Sequence, residues 1–290
     1  MPLAVFSHNG APPRLGKVFG GRLVDLSAVA GLPGTVIGFL EAGAAALDAF
    51  KAVGAGAPGS LALSDVKLLA PVSKPEKFLA IGMNYKDHSA EAKALGLDVP
   101  KWQIWFNKQV SCINGPFDDV IAPLVSEQLD YEAELAVVIG RVCRNVPVEA
   151  ARSVIGGYMV ANDVSARDWQ LRTGTMTLGK SFDTHGPIGP WLTLDHEIDD
   201  PHALAMRTLV NGEIRQDGNT GAMVHNIYEQ IAYLSQVMTL KPGDILATGT
   251  PAGVGVARKP PVFLKPGDVV RIEVGTLGYI ENRIVAEAAS

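Results

Sequence analysis

The sequence predicts a mainly β protein of the α+β class, with a small N-terminal α+β domain at residues 1–70 and a larger domain at residues 71–290. Segments with the alternating pattern of strands dominate the chain after Lys77, and only two longer helical segments interrupt them. The 31 glycines and 19 prolines favour many turns over long helices. These observations together indicate a strand-rich fold.

The N-terminal domain is predicted to contain short strands and one helix. The strands are indicated at residues 3–6, 17–19, 22–25 and 66–69, and the helix at residues 35–53. The helix carries Glu41, Asp48 and Lys51, so we expect an amphipathic helix and not a membrane span. No residue pattern in this domain indicates chemistry.

The larger domain is predicted to be mostly strands. They are indicated at residues 78–83, 103–106, 130–139, 157–163, 191–194, 207–210, 244–248, 269–274 and 279–285. Helices are expected at residues 88–94 and 227–238, the second opened by Asn226. Asn211 and Gly212 suit the positive φ angles of a type I′ turn, which predicts a hairpin there.

Charge and cysteine content narrow the partners and the compartment. The net charge is −5 and no cluster of lysine and arginine occurs, so we expect no nucleic-acid partner. Only two cysteines, Cys112 and Cys143, are present, which favours reduced thiols and a cytoplasmic location. The first residues lack the features of a signal peptide, and we expect no membrane association.

An acidic pattern indicates a metal site. In a strand at residues 130–139, Asp130, Glu132 and Glu134 would share one face, while the apolar residues between them face the core. Carboxylates so close together raise each other's pKa unless a cation neutralises them. Asp163, at the end of another apolar strand, would add a third oxygen ligand, and such ligands favour Mg²⁺, Mn²⁺ or Ca²⁺ over zinc. The alternatives are a solvated outer face for Glu132 and Glu134 and a turn cap for Asp163.

Two further patterns indicate acid–base chemistry. His88 and Glu91 would share one face of a helix, so that the carboxylate orients the imidazole as a general base. Lys180 lies among small residues and would stabilise a developing oxyanion. The alternatives are a solvated polar pair and an ordinary surface lysine. A glycine-rich turn at residues 247–255 lacks the ending of a phosphate loop, which disfavours nucleotide binding.

Seven segments, in this order, resemble the fumarylacetoacetate hydrolase superfamily from about residue 77 to the end of the chain. They are Asn84-Tyr85 with His88 and Glu91, Phe106 with Lys108 and Gly115-Pro116, Tyr131-Glu132-Ala133-Glu134-Leu135, residues 162–168, Gly179-Lys180-Ser181-Phe182-Asp183, Val210-Asn211-Gly212-Glu213, and residues 248–255. The short N-terminal domain is more similar to the shorter bacterial members than to the longer fumarylacetoacetases.

The resemblance implies a fold, a cofactor and site residues. It implies a β-roll of mostly antiparallel strands and a homodimer. It further implies Mg²⁺ or Mn²⁺ on Glu132, Glu134 and Asp163, a water-activating pair formed by His88 and Glu91, and Lys180 at the oxyanion. The residues that fall where the family contacts substrate are Gln170, Thr250 and Lys108.

We therefore expect a metal-dependent hydrolase that cleaves a C–C bond of a 2,4-dioxo acid of the acylpyruvate type and releases pyruvate, as in aromatic-compound catabolism. His88 would deprotonate the attacking water. The same site would also serve a decarboxylase, isomerase or tautomerase that acts on oxaloacetate or an unsaturated 2-oxo dioate. A non-catalytic 2-oxo-acid binding protein is the remaining alternative, although it has no need of His88, Glu91 and Lys180 together.

Overall fold

The computed structural model describes residues 1–94 and 101–288, and most of its elements are strands. The strands of the described residues are β1 Leu3–Ser7, β2 Arg14–Phe19, β3 Arg22–Asp25, β4 Ser60–Ala62, β5 Lys67–Leu69, β6 Phe78–Gly82, β7 Ile104–Asn107, β8 Ile113–Asn114, β9 Val120–Ala122, β10 Leu129–Asp130, β11 Ala133–Ile139, β12 Ile155–Asn162, β13 Ser165–Ala166, β14 Gly186–Leu194, β15 Ala205–Val210, β16 Glu213–Asn219, β17 Ile245–Ala247, β18 Val269–Val274 and β19 Tyr279–Ala286. The α-helices are α1 Val36–Ala52, α2 Lys86–Ala94, α3 Arg167–Gln170 and α4 Ile227–Val237. The prediction of a mainly β fold is confirmed.

The strands form one large sheet and two smaller ones. The large sheet has 12 strands in the order β4-β3-β2-β1-β14-β12-β11-β17-β6-β7, with β5 beside β1 and β8 beside β14. A five-stranded sheet has the order β16-β15-β18-β19-β9, and β10 pairs with β13. Among these pairs, only β14–β8, β17–β6 and β19–β9 are parallel. The sheets are therefore mostly antiparallel, as the resemblance implies.

The large sheet continues through the N-terminal part of the chain. Strand β1 pairs with β14, where Leu3 lies opposite Leu192. One hydrophobic cluster joins Phe39 and Phe50 of α1 to residues of β11. The division at residue 70 stays a prediction, but neither the sheet nor this part of the core stops there.

Strand β11 is buried on both faces. Leu135 and Val137 belong to the hydrophobic cluster that includes Ile272 of the five-stranded sheet. Ala136 and Val138 belong to the other cluster, which contains α1. The strand that carries Glu134 is thus central, and the alternative of a solvated outer face is wrong for it.

Local signals predicted the start of α4 and one hairpin well. Asn226 Oδ1 accepts a hydrogen bond from the Glu229 N–H at 3.0 Å, and Glu229 Oε2 accepts one from the Asn226 N–H at 2.8 Å, which forms a capping box. The β15–β16 turn has positive φ angles of 53° at Asn211 and 81° at Gly212. Within the described ranges, none of the helices has both the length and the apolar character needed to cross a bilayer.

His185, directly before β14, is a buried histidine with one unpaired ring nitrogen. Its Nε2 donates to the Ile121 carbonyl at 2.9 Å, and its Nδ1 has no hydrogen-bond partner among the described residues. Burial lowers the pKa of His185 to about 4. Between about pH 6.5 and pH 4, His185 is therefore mostly protonated in the unfolded chain and mostly neutral in the folded protein.

We expect this histidine to make the protein sensitive to acid. Because the folded pKa lies below the unfolded value, its contribution to stability is complete above about pH 6.5 and is lost as the pH falls towards 4. The loss should reach about 3 kcal/mol. Urea unfolding at pH 7 and pH 4.5 should show a smaller acid effect in His185→Gln, whose amide still donates to Ile121. An equal acid effect in both proteins would contradict this assignment.

Candidate active site

Three carboxylates from neighbouring strands meet in the interior. Glu132 directly precedes β11, Glu134 lies within it, and Asp163 directly follows β12. The antiparallel pairing of these strands brings the residues together, and the Asp163 N–H donates to the Glu132 carbonyl at 3.0 Å. One oxygen from each carboxylate lies within 4.8 Å of the others, and all three residues are buried. The residues predicted to hold a metal are therefore neighbours in space.

Two buried lysines contact this carboxylate cluster. Lys180 Nζ donates to Glu132 Oε2 and to Asp163 Oδ2, both at 2.7 Å. Lys108 Nζ donates to the other oxygen of Asp163, Oδ1, at 2.6 Å and to the Lys180 carbonyl. Each lysine is only 1% exposed, so the surface-lysine alternative for Lys180 is wrong.

Lys108 lies apart from the cavity described below. The sequence predicted a substrate contact for Lys108, but the residue does not line the cavity, and its ammonium is held by Asp163 and the Lys180 carbonyl. Asp163 raises the pKa of Lys108 above its ordinary value, although burial acts in the opposite direction. A substrate contact for Lys108 stays a prediction, whereas its contacts support a role in positioning Asp163.

Arg167 is part of the site, although sequence reasoning assigned it no role. Its Nη1 donates to Glu132 Oε1 at 2.6 Å and to Gln170 Oε1 at 3.0 Å, and its Nε donates to Asp130 Oδ2 at 2.9 Å. Asp130 is thus bound by Arg167 and does not join the metal cluster, because the predicted strand is interrupted between β10 and β11. The buried Nη2 of Arg167 has no hydrogen-bond partner among the described residues.

The charges of this interior do not balance. Four buried carboxylates, Asp130, Glu132, Glu134 and Asp163, face three buried cations, Lys108, Arg167 and Lys180.

Glu134 is the carboxylate of this group that has no cationic partner among the described residues. It accepts a hydrogen bond from the Gly249 N–H at 2.8 Å but forms no ion pair with any residue that the structure describes. Burial, and then the charges of Asp163 and Glu132, raise the pKa of Glu134 well above its ordinary value. By contrast, Lys180 and Arg167 outweigh burial and lower the pKa of Glu132. An all-oxygen cluster with one uncompensated carboxylate fits a hard divalent cation.

The predicted contact between His88 and Glu91 is formed at the start of α2. His88 Nδ1 lies 3.2 Å from Glu91 Oε2, and both side chains are partly buried. Because an ionised carboxylate only accepts hydrogen bonds, Nδ1 carries the proton and Nε2 is free to act as a base. The other oxygen of Glu91 accepts the Gly253 N–H at 2.9 Å, which fixes the carboxylate.

The glycine-rich turn has a role that its sequence did not reveal. Its backbone N–H groups donate to three carboxylates of the site: Gly249 to Glu134, Gly253 to Glu91 and Gly255 to Asp130. Gly253 has a φ of 106°, and a Cβ there would collide with the Arg215 carbonyl, so other residues are strained at this position. The turn binds carboxylates of the protein and does not resemble a phosphate loop.

These groups surround one cavity of about 480 Å³. Polar residues that line it are His88, Glu91, Glu132, Arg167, Gln170, Thr173, Lys180 and Thr250. Gln170 and Thr250, both predicted to contact substrate, line this cavity. Thr250 Oγ1 accepts a hydrogen bond from Gln216 Nε2 at 2.8 Å, which leaves the hydroxyl proton free for a ligand.

We expect Lys108→Met to weaken Mn²⁺ binding about 10- to 100-fold, because Asp163 loses the partner that orients it. Calorimetric titration with Mn²⁺ measures the effect. Lys108→Arg should lose less affinity, since it keeps the positive charge. Lys259→Met, at an exposed position, is the matched control. Unchanged Mn²⁺ affinity in a folded Lys108→Met protein would exclude the positioning role.

Comparison with known proteins agrees with this geometry. The family model described as fumarylacetoacetate (FAA) hydrolase C-terminal matches residues 77–285. A mitochondrial oxaloacetate tautomerase of Xenopus laevis is 46% identical over 98% of this chain and 90% of its own.

Two solved structures cover the whole fold. The maleylpyruvate hydrolase of Sphingobium sp. SYK-6, solved with manganese(II) and pyruvate, is 34% identical, has a TM-score of 0.82, and covers 99% of this chain and 100% of its own. The 2-hydroxyhepta-2,4-diene-1,7-dioate isomerase of Mycobacterium marinum is 32% identical with a TM-score of 0.78, over 100% of both chains. The chain therefore shares its fold and most of its length with enzymes of different reaction types.

Proposed function

This chain belongs to the fumarylacetoacetate hydrolase family, and from that premise we propose that it is a keto–enol tautomerase of oxaloacetate and similar 2-oxo acids. The observation that carries the proposal is the arrangement of His88, oriented by Glu91, and Lys180 around one cavity. Enolisation needs a base for a C3 proton and a cation near the 2-oxo oxygen, and these residues supply both. The sequence identity of 46% with an oxaloacetate tautomerase, over 98% of this chain, favours this reaction over the C–C hydrolysis expected from the sequence.

Proton transfer begins at His88. Its Nε2 takes a proton from C3 of the keto acid, and the electron pair of the C–H bond forms the C2–C3 double bond. Negative charge develops on the 2-oxo oxygen, where the Lys180 ammonium stabilises it until the oxygen takes a proton from water. His88 then releases its proton to solvent, and the same steps in reverse return the keto form.

The carboxylate cluster is proposed to hold a divalent cation. On Glu132, Glu134 and Asp163, Mg²⁺ or Mn²⁺ would supply Lewis-acid stabilisation of negative charge at the 2-oxo oxygen, with Ca²⁺ as the alternative ion. The uncompensated charge of Glu134 supports this proposal, as does the manganese(II) of the solved maleylpyruvate hydrolase.

Three further side chains are proposed to orient the substrate. The free hydroxyl proton of Thr250 and the amide donor of Gln170 suit a carboxylate of the acid. The unpaired Nη2 of Arg167 suits a second carboxylate close to the first, as in oxaloacetate. Together these side chains would orient the substrate so that its C3 proton points towards His88.

The test is the rate of keto–enol interconversion of oxaloacetate, followed by ultraviolet absorbance on chelator-treated protein with and without Mg²⁺ or Mn²⁺. We expect metal-restored interconversion that is much faster than any release of pyruvate. Pyruvate release from acetylpyruvate, measured in parallel, tests the hydrolase. Failure to accelerate interconversion in the presence of either metal would exclude the tautomerase.

Hydrolysis of an acylpyruvate remains a second candidate because of the size of the cavity. A volume of about 480 Å³ lies within the usual range of pockets for drug-sized ligands, and it exceeds the needs of a four-carbon acid. His88 would then take its proton from water.

The homodimer and the cytoplasmic location expected from the sequence stay predictions. Sedimentation velocity tests the first. The second needs localisation in cells, since the relative of Xenopus laevis is mitochondrial.

A further inference from the structure

The positive charge of the cavity is confined to one end. Arg167 Nη1 and Lys180 Nζ both line the cavity and donate to the two oxygens of the same carboxylate, Glu132, at 2.6 and 2.7 Å. Lys108 does not line the cavity, and its ammonium donates to Asp163. Any acid group held by these cations must therefore lie close to the carboxylate cluster.

Much of the cavity has an apolar lining. Six apolar side chains come from β6, β7, the loop after α3 and the two residues after the glycine-rich turn. We call them the apolar wall: Ile81, Ile104, Leu171, Met176, Val256 and Ala257. Among the residues whose side chains the structure describes (1–89, 91 and 101–288), no lysine or arginine besides Arg167 and Lys180 lines this cavity. A charged group placed against the wall would lose water without gaining a partner.

We propose that the cavity selects 2-oxo acids with an uncharged, apolar tail of several carbons and discriminates against acids with a second carboxylate at the far end. This inference rests on the proposed function only in that the 2-oxo acid group binds at the carboxylate cluster. Oxaloacetate is accommodated because its second carboxylate is close enough to reach Arg167. The selectivity would separate this chain from an isomerase whose substrate is a seven-carbon dioate.

The expected size of the effect follows from burial of the tail. Each methylene that leaves water for the apolar wall should tighten binding about fourfold. A carboxylate at the tail end should weaken binding at least about 10-fold, since it gives up hydration without an ion pair.

The test is calorimetric binding to protein supplemented with Mn²⁺. 2-Oxobutanoate, 2-oxohexanoate and 2-oxooctanoate form a series of rising tail length, and 2-oxooctanedioate differs from the last only by its terminal carboxylate. We expect affinity to rise along the series and to fall for the dioate. Equal or tighter binding of the dioate, or binding of none of these acids, overturns the proposal.

A charge-inserting variant tests the location. Met176→Lys should shift the ratio of dioate to monoacid affinity towards the dioate by at least 10-fold, and an unchanged ratio excludes this wall as the tail site. The two proposals fail separately. If the protein shows tail selectivity but does not accelerate oxaloacetate interconversion, only the tautomerase proposal is excluded. If it accelerates interconversion but binds the dioate as tightly as the monoacid, only the inference on tail selectivity is excluded.

Discussion

Replacing His88 by asparagine is expected to lower kcat for oxaloacetate enolisation by about 10²–10⁴-fold, because the proposed base for the C3 proton is lost. Affinity for Mn²⁺ should change little, since the His88 side chain hydrogen-bonds to Glu91 and to none of the three predicted metal ligands. Stopped-flow absorbance measures the first quantity and calorimetry the second. His196→Asn, at an exposed position, is the matched control. Retention of full activity in His88→Asn would remove His88 as the base.

Glu91→Gln tests whether Glu91 controls the protonation of the His88 ring or only holds α2 in place. A glutamine oxygen still accepts the Gly253 N–H, so α2 should keep its place. Its amide, however, would donate to His88 Nδ1 and move the ring proton to Nε2, which cannot then act as a base. We expect a kcat loss close to that of His88→Asn with an unchanged melting temperature. A normal rate in Glu91→Gln would show that the tautomer of His88 is immaterial.

Glu134→Gln should have opposite effects on metal binding and on the metal-free protein. Loss of this proposed ligand should weaken Mn²⁺ binding more than 100-fold and abolish metal-dependent activity. The metal-free protein should be as stable as the wild type or more stable, because Glu134 is a buried carboxylate without an ion pair among the described residues.

Thermal unfolding with and without Mn²⁺ measures both effects of Glu134→Gln. Wild-type protein should gain about 3 kcal/mol when Mn²⁺ is present at 100 times its Kd, and the variant should gain almost nothing at that concentration. Glu132→Gln is the contrasting variant, since its carboxylate is paired with Lys180 and Arg167 and its loss should destabilise the metal-free protein. A destabilised metal-free Glu134→Gln protein would contradict the charge imbalance inferred for this cluster.

Patterns of short range predicted much of the site. Alternation predicted that Glu132 and Glu134 are neighbours, and they are, although only Glu134 lies in β11 and Glu132 directly precedes it. The spacing of His88 and Glu91 on a helix predicted their contact, because the geometry of a single element decides which of its side chains are neighbours. Asp163 and Lys180, which are distant in sequence, were predicted from the end of an apolar strand and from a lysine among small residues, and the order of motifs agreed with both.

Contacts between distant segments could not be read in the same way. Arg167 stood within a quoted motif, yet only the fold shows that its guanidinium joins Asp130, Glu132 and Gln170. An arginine in an apolar stretch rich in strands was the available signal, because a buried arginine needs acidic partners. Lys108 and the backbone of the glycine-rich turn gave no such signal, since their roles depend on segments far away in the chain.

The pairing of β1 with β14 also sets a condition on biosynthesis. Leu3 is synthesised about 190 residues before its partner Leu192. At typical translation rates this partner appears roughly 10–40 s afterwards, and until then the Leu3 end of one edge of β1 has no strand beside it. The early strands β2 and β5 occupy the pairing positions that are available sooner. Slower synthesis of the middle of the chain would lengthen this interval, and chaperone demand in the cell should rise with it.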